Sequence, residues 1–317
     1  MPDAAPPVHQ RRRDRLQGDK IRRTFDRVAP AFAAHDFLYR EMSQRMAERL
    51  EMVRLQPARM LDAGCGLGAD RRVLQQRYPE ADWLGLDLSE AMLRQGRTTD
   101  QAAHGFMRRW FGMGAARKSQ YIAASLKVVP LAAQSVDLVW SNAALHWLDD
   151  LPDTFKELNR VLSIGGLLMF SLFGPDTLKE LRQAVGAIDA QAAARMQAFT
   201  DMHDVGDMLV HAGFSDPVMD METVTLTYAD PWQALHELQR AGSVAAVALP
   251  VTSRGLKTRR YWAQVFEHWP RDANGRYPLT FELVQGHAWK MAPRQHEDGR
   301  SVVNFMPRPG TASGRGV

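Results

Sequence analysis

The sequence predicts an α/β fold, a largely parallel sheet with helices on both faces, and three observations lead there. Short apolar runs alternate with stretches of helical period over more than a hundred residues. A glycine-rich segment, Asp62-Ala63-Gly64-Cys65-Gly66-Leu67-Gly68, follows the first of those runs and opens a helix. An acid, Asp87, closes the second run about twenty residues later.

Strands are expected at 60–63, 83–87, 121–124, 136–141 and 166–173, with helices at 69–77, 90–95 and 152–162 between them. Strands separated by helices pair in parallel, because a return over the sheet face needs a crossover rather than a hairpin. A helix follows at 176–195, and another at 204–212 that Gly213 ends as a C-cap. Two further strands fit 218–228 and 279–290, with helical stretches at 231–247 and 258–269 between them. A connection of that length, about residues 229–270, is expected to form a helical cap over a ligand site. Apolar residues at helical spacing (Phe25, Val28, Phe32, Met42, Met46, Leu50, Val53) predict N-terminal helices over 21–54. Polar, Pro-containing residues 1–20 are expected to be a disordered tail, and 291–317 a loose one, leaving a single domain over 21–290.

At 317 residues, 45% hydrophobic and 24% charged, the chain has apolar content for a sizeable core. No apolar run reaches the roughly 18 residues of a membrane span, and no secretory h-region opens the chain. Asp14, Asp19 and Asp26 interrupt the Arg-rich start, which argues against a transit peptide and for a cytoplasmic protein. The single cysteine, Cys65, excludes an internal disulfide and a Cys-based zinc cluster, and no metal is expected. A net charge of +4 without a concentrated basic stripe does not predict a nucleic-acid partner.

Glycines at 64, 66 and 68 let a backbone turn tightly and approach a ligand that side chains would exclude. Asp87, at a strand end, can accept hydrogen bonds from both hydroxyls of a ribose. Together they point to a nucleoside-containing cofactor lying across the strand ends. Dinucleotide loops read G-x-G-x-x-G to accommodate a pyrophosphate. Here the spacing is G-x-G-x-G directly behind Asp62, whose negative charge suits the positively charged methionine end of S-adenosylmethionine. Cys65 is read as a small packing residue rather than a nucleophile.

On these residues the chain resembles the class I S-adenosylmethionine-dependent methyltransferases over most of 20–290. The resemblance implies their Rossmann-like sheet and an N-terminal helical lid, and places Leu88, Ser125, Leu126 and Asn142 beside the cofactor. Ser125 stands where that family usually has Asp, so the contact to the adenine amino group is expected to be weaker. The run Ser141-Asn142-Ala143-Ala144-Leu145-His146-Trp147 is similar to a segment of the malonyl-acyl-carrier-protein methyltransferases of biotin synthesis. So are Thr177-Leu178-Lys179-Glu180-Leu181 and Gly275-Arg276-Tyr277-Pro278-Leu279-Thr280-Phe281. The run from Gly174 to Arg182 is also similar to complex I assembly factors that hydroxylate arginine. A hydroxylase or assembly factor is therefore one alternative, and a methyltransferase of a quinone-type or acid small molecule another.

The favoured relatives imply methyl transfer to the free carboxylate of a malonyl thioester on acyl carrier protein. A carboxylate is already ionised at neutral pH, so no general base is required and no catalytic residue is nominated. His146 and His203 are read as structural. Arg182 is the expected partner of the malonyl carboxylate, and Trp147 the expected floor of the substrate pocket. Phe32 stands where relatives often carry a Tyr, with Tyr39 further along. Carrier proteins are acidic, and two basic segments are expected to dock one. The first holds Arg108, Arg109, Arg117 and Lys118, the second Arg254, Lys257, Arg259 and Arg260.

Overall fold

The computed structural model describes residues 8–111, 119–243 and 256–292, with side chains described over 18–100, 119–243 and 258–292. Two helices lead, α1 (Val8–Phe32) and α2 (Phe37–Glu51). The alternating region follows as β1 (Arg59–Ala63), α3 (Arg71–Arg77), β2 (Asp82–Asp87), α4 (Glu90–Phe111) and β3 (Ser119–Ala123). It continues with β4 (Val136–Ser141), a short 3-10 turn at Leu145–Trp147, α5 (Leu151–Val161) and β5 (Leu162–Phe173). Then come α6 (Lys179–Ile188), α7 (Ala190–Arg195), α8 (Met202–His211) and β6 (Ser215–Tyr228). The last elements are α9 (Pro231–Arg240), α10 (Leu256–His268) and β7 (Tyr277–Trp289).

The seven strands form one sheet in the order β3-β2-β1-β4-β5-β7-β6. The first five pair in parallel, and β7 runs antiparallel to both β5 and β6. Alternate residues serve opposite faces, as the strand period of two requires. Met60, Leu138, Trp140 and Met169 pack with Met46, Leu50 and Leu74 on one side. Leu61, Val139, Leu168 and Phe170 pack with Phe155, Leu158 and Leu209 on the other. A third cluster ties Trp262 and Val265 of α10 and Leu235 of α9 to Leu181, Leu279 and Phe281.

Four expectations need correction. Helix α1 begins at Val8, so helix occupies much of the stretch expected to be a disordered tail. The single helix over 176–195 is two, because Asp189 at φ −147° leaves the helical region and its carboxylate accepts the Ala192 N–H, starting α7. Helix α4 runs on to Phe111, where sequence period supported only its first turns. The connection between β6 and β7 is expected over a ligand site, yet no described residue of its helices α9 and α10 lines the cavity described below. Helix α9 packs behind the N-terminal helices, where the Tyr39 hydroxyl donates to the Ala241 carbonyl at 2.9 Å and His35 Nδ1 lies 2.9 Å from Glu237, while α10 packs on α6.

Candidate active site

A cavity of about 390 Å³ opens at the carboxyl ends of β1, β2 and β4, a volume within the usual range for small-molecule sites. The strand ends contribute Asp62, Gly64 and Gly66, then Asp87 and Leu88, then Asn142 and Trp147. Ser125 and Leu126 come from the turn after β3. The opposite wall is helical, with Ile21, Arg22 and Phe25 of α1, Tyr39 and Arg40 of α2, and Asp36 between the two helices.

The loop works through its backbone. Gly64 sits at φ +84° against Ala144, whose Cβ would lie only 2.2 Å from a Cβ placed on Gly64, so no side chain fits. The Gly64 and Cys65 N–H groups both donate to the Leu86 carbonyl, at 2.7 and 3.0 Å, fastening the loop to β2. Gly66 N–H donates to Asp87 Oδ2 at 2.8 Å, and Ser89 N–H to Asp87 Oδ1 at 2.7 Å. Each carboxylate oxygen has a second lone pair, so Asp87 keeps acceptor capacity toward the cavity.

Asp62 is 1% exposed and its Oδ2 has no hydrogen-bond partner among the described residues. Burial pushes its pKa well above the usual carboxylate range, and the charges of Asp70 and Asp87 push it further. Asp70 and Asp87 are raised as well, by burial first; the Trp140 indole opposes this at Asp70, the Ser89 and Gly66 N–H groups at Asp87. Three desolvated carboxylates around one cavity favour a cationic occupant.

Asn142 lines the cavity while bracing it: Nδ2 donates to the Tyr39 carbonyl at 2.9 Å and Oδ1 accepts from Ser171 Oγ at 2.7 Å. The same region holds Ala143 at φ +49°, pinned through its N–H to the Ser171 carbonyl and hydroxyl. Ser125 Oγ accepts the Lys127 N–H at 3.2 Å. Trp147 is buried edge-on to Phe25, ring centroids 5.6 Å apart. Phe32 and Tyr39 pack at 5.1 Å on the same wall.

Two nominated residues lie elsewhere. Gly68 is absent from the lining: its N–H closes a turn onto the Cys65 carbonyl at 2.7 Å, and a Cβ there would meet the Tyr121 hydroxyl at 2.6 Å. It shapes the loop without facing the cavity. Arg182 donates to the Gln197 carbonyl at 2.7 Å, and does not line the cavity either. Among the described residues, the cations lining the cavity are Arg22, Arg40 and Lys127. Arg22 pairs with Asp26 at 3.4 Å and Asp19 at 3.6 Å, and Arg40 with Asp36 at 2.8 Å. No local sequence signal marks Arg22 or Arg40, because their positions depend on how α1 and α2 pack over the sheet.

His146 is buried among Trp147, Phe173 and Phe199 with neither ring nitrogen hydrogen-bonded, and burial lowers its pKa to about 3. His203 is exposed beside Asp201, which caps α8. Neither His146 nor His203 lines the cavity. Two motif segments far apart in the chain are joined by hydrogen bonds. Thr177 Oγ1 accepts the Glu282 N–H at 3.1 Å, Glu282 Oε2 accepts the Asp176 N–H at 2.7 Å, and Glu180 accepts from the Thr280 N–H and hydroxyl. The run from Gly174 to Arg182 thus fastens α6 to β7.

Of the docking segments, side chains at 108–118, 254 and 257 lie outside the described residues. Arg259 and Arg260 are exposed on α10, whose described residues contribute nothing to the cavity lining.

This strand order, with a glycine loop and a strand-end acid facing one cavity, defines a Rossmann-like class I methyltransferase. The family described as "Methyltransferase domain" matches residues 61–170. Two solved structures show the same fold. The YcgJ protein of Bacillus subtilis has a TM-score of 0.56 at 13% identity, covering 80% of this chain and 99% of that one. A Haemonchus contortus phosphoethanolamine N-methyltransferase 2 in complex with S-adenosyl-L-methionine has a TM-score of 0.54 at 17% identity, covering 86% of this chain and 60% of that one. The chain is also 44% identical to the malonyl-[acyl-carrier protein] O-methyltransferase of Gallionella capsiferriformans, over 89% of this chain and 94% of that relative. It is 44% identical to the Laribacter hongkongensis enzyme of the same name, over 91% and 95%. The chain belongs to the malonyl-[acyl-carrier protein] O-methyltransferase family.

Proposed function

We propose that the protein methylates the free carboxylate of a malonyl thioester carried on acyl carrier protein, an early step of biotin synthesis in the cytoplasm. The observation that carries this reading is the 44% identity spanning nearly the full length of relatives bearing that name. When bound, S-adenosylmethionine supplies a methyl group on a cationic sulfur, which an ionised carboxylate takes in one displacement without proton transfer.

The chain's own residues then have three tasks. Asp62 and Asp70 hold the amino-acid end of the cofactor, Asp87 the ribose, and Leu88 and Leu126 the adenine faces, with Ser125 at the adenine edge. Gly68 acts one step removed, by setting the loop's turn. Trp147, Phe25 and Tyr39 exclude water around the acceptor, which strengthens the attack of a desolvated carboxylate. Arg22 takes the role first assigned to Arg182. Its acid contacts of 3.4 and 3.6 Å are longer than tight charge-assisted bonds, so exchanging them for a substrate carboxylate costs little.

The test compares carrier proteins bearing malonyl and butyryl groups. Cofactor consumption is expected with malonyl alone, and Arg22→Ala is expected to raise KM for it while leaving cofactor affinity intact. Equal turnover of the butyryl carrier, which has no free carboxylate, would overturn the reading.

A further inference from the structure

Helix α1 concentrates the positive charge of the chain. Its 25 residues hold eight cations against three acids, a net +5 where the entire chain carries +4, so the rest of the protein is slightly acidic. Two of the three acids are engaged locally. Asp26 Oδ1 accepts from Ser89 Oγ at 2.7 Å and from the Ala91 N–H at 3.3 Å, fixing α1 to the start of α4, and Asp19 lies beside Arg22.

The helix also has two distinct faces. Ile21, Arg22 and Phe25 line the cavity. Lys20, Arg23 and Arg27 are exposed, and at about 100° per residue they fall within an arc of roughly 60°. None of the three is paired with an acid among the described residues. A basic stripe therefore runs along the outer side of a wall of the cavity. The other described basic pair of the chain's expected docking segments, Arg259 and Arg260, sits on α10, which does not line the cavity.

We infer that α1 is the docking face for the protein that carries the acceptor: a small acidic carrier seats on the stripe of Lys20, Arg23 and Arg27 and passes its thioester arm past Ile21 and Phe25 into the cavity. This rests on the acceptor being carrier-borne, as proposed above. The stripe serves encounter and orientation, because exposed charges act on association and are screened by salt.

The experiment uses the full chain with Lys20→Glu, Arg23→Glu and Arg27→Glu combined, and two substrates, malonyl-acyl carrier protein and malonyl-pantetheine. Three reversed contacts should raise KM for the carrier about tenfold or more, with kcat unchanged. Malonyl-pantetheine, which has no carrier to dock, should keep its wild-type kcat/KM. KM of the wild type for the carrier should rise with salt more steeply than that of the variant. An Arg259→Glu, Arg260→Glu variant should behave as wild type. An unmoved carrier KM, equal damage to both substrates, or an effect confined to the α10 variant would overturn the docking face. So would RNA binding by the wild type that the α1 variant loses while its carrier KM stays unchanged. A wild-type protein that methylates neither substrate would overturn the proposed acceptor instead, which keeps the two failures apart.

Discussion

Replacing Gly64 by Ala tests how the cofactor loop is built. An alanine at φ +84° occupies the left-handed region, which costs roughly 1–2 kcal/mol. Its Cβ would lie 2.2 Å from the Ala144 Cβ, far inside the carbon contact distance of about 3.5–4.0 Å. Ala144 has little room to retreat, because the residue before it is held at φ +49° by Ser171. Overpacking of this kind adds about 1–3 kcal/mol, for a total loss of about 2–5 kcal/mol. Gly66 is the control: it also has positive φ, +53°, but a Cβ there meets nothing within 4 Å. Gly66→Ala should therefore cost only the roughly 1–2 kcal/mol of strain, while its methyl intrudes on the cavity that Gly66 lines. Urea unfolding of both ligand-free variants, with calorimetric titration of S-adenosylmethionine, separates the two effects. Gly64→Ala should lose mainly stability, and Gly66→Ala mainly cofactor affinity. Equal stability of the two variants would refute the packing argument.

Three more outcomes follow from the same site. Asp62 has a raised pKa when folded, so its contribution to ligand-free stability is present below the ordinary carboxylate pKa and is lost as pH rises through the raised value. Asp62→Asn should thus stabilise the ligand-free protein in denaturation at neutral pH, flatten its pH dependence there and weaken cofactor binding; destabilisation at neutral pH would contradict the assignment. His146, with its pKa lowered to about 3, stays neutral in the working range, so His146→Phe should leave the pH profile of kcat/KM between about 5 and 8 unchanged. Arg182→Ala removes one hydrogen bond to the Gln197 carbonyl, so it should cost about 1 kcal/mol of stability and leave KM for the malonyl carrier at its wild-type value.

The strand-end chemistry was legible in the sequence because it is local. Gly64, Gly66 and Asp87 sit within a few residues of a strand, and strand geometry alone delivers them to one edge of the sheet. Gly68 shares their spacing yet turns against Tyr121, a residue from a different strand that no loop motif reveals. Arg182 lies off the cavity lining for a related reason: the sequence predicts the helix after β5, but not the face it presents or the capture of its guanidinium by the Gln197 carbonyl. Arg22 and Arg40 carry no local sequence signal because helix positions, unlike strand ends, have no fixed relation to the site. The helices between β6 and β7 were recognised as a long insertion, but length does not say which side they take. The hydrogen bonds that tie α9 to His35 and Tyr39, and the apolar packing of α10 on α6, do.

The central claim is the identity of the acceptor. Incubation with S-adenosylmethionine labelled in its methyl group and with malonyl-acyl carrier protein should place the label on the carrier as a base-labile methyl ester. Cofactor bound with normal affinity and no label on the malonyl carrier would contradict the account.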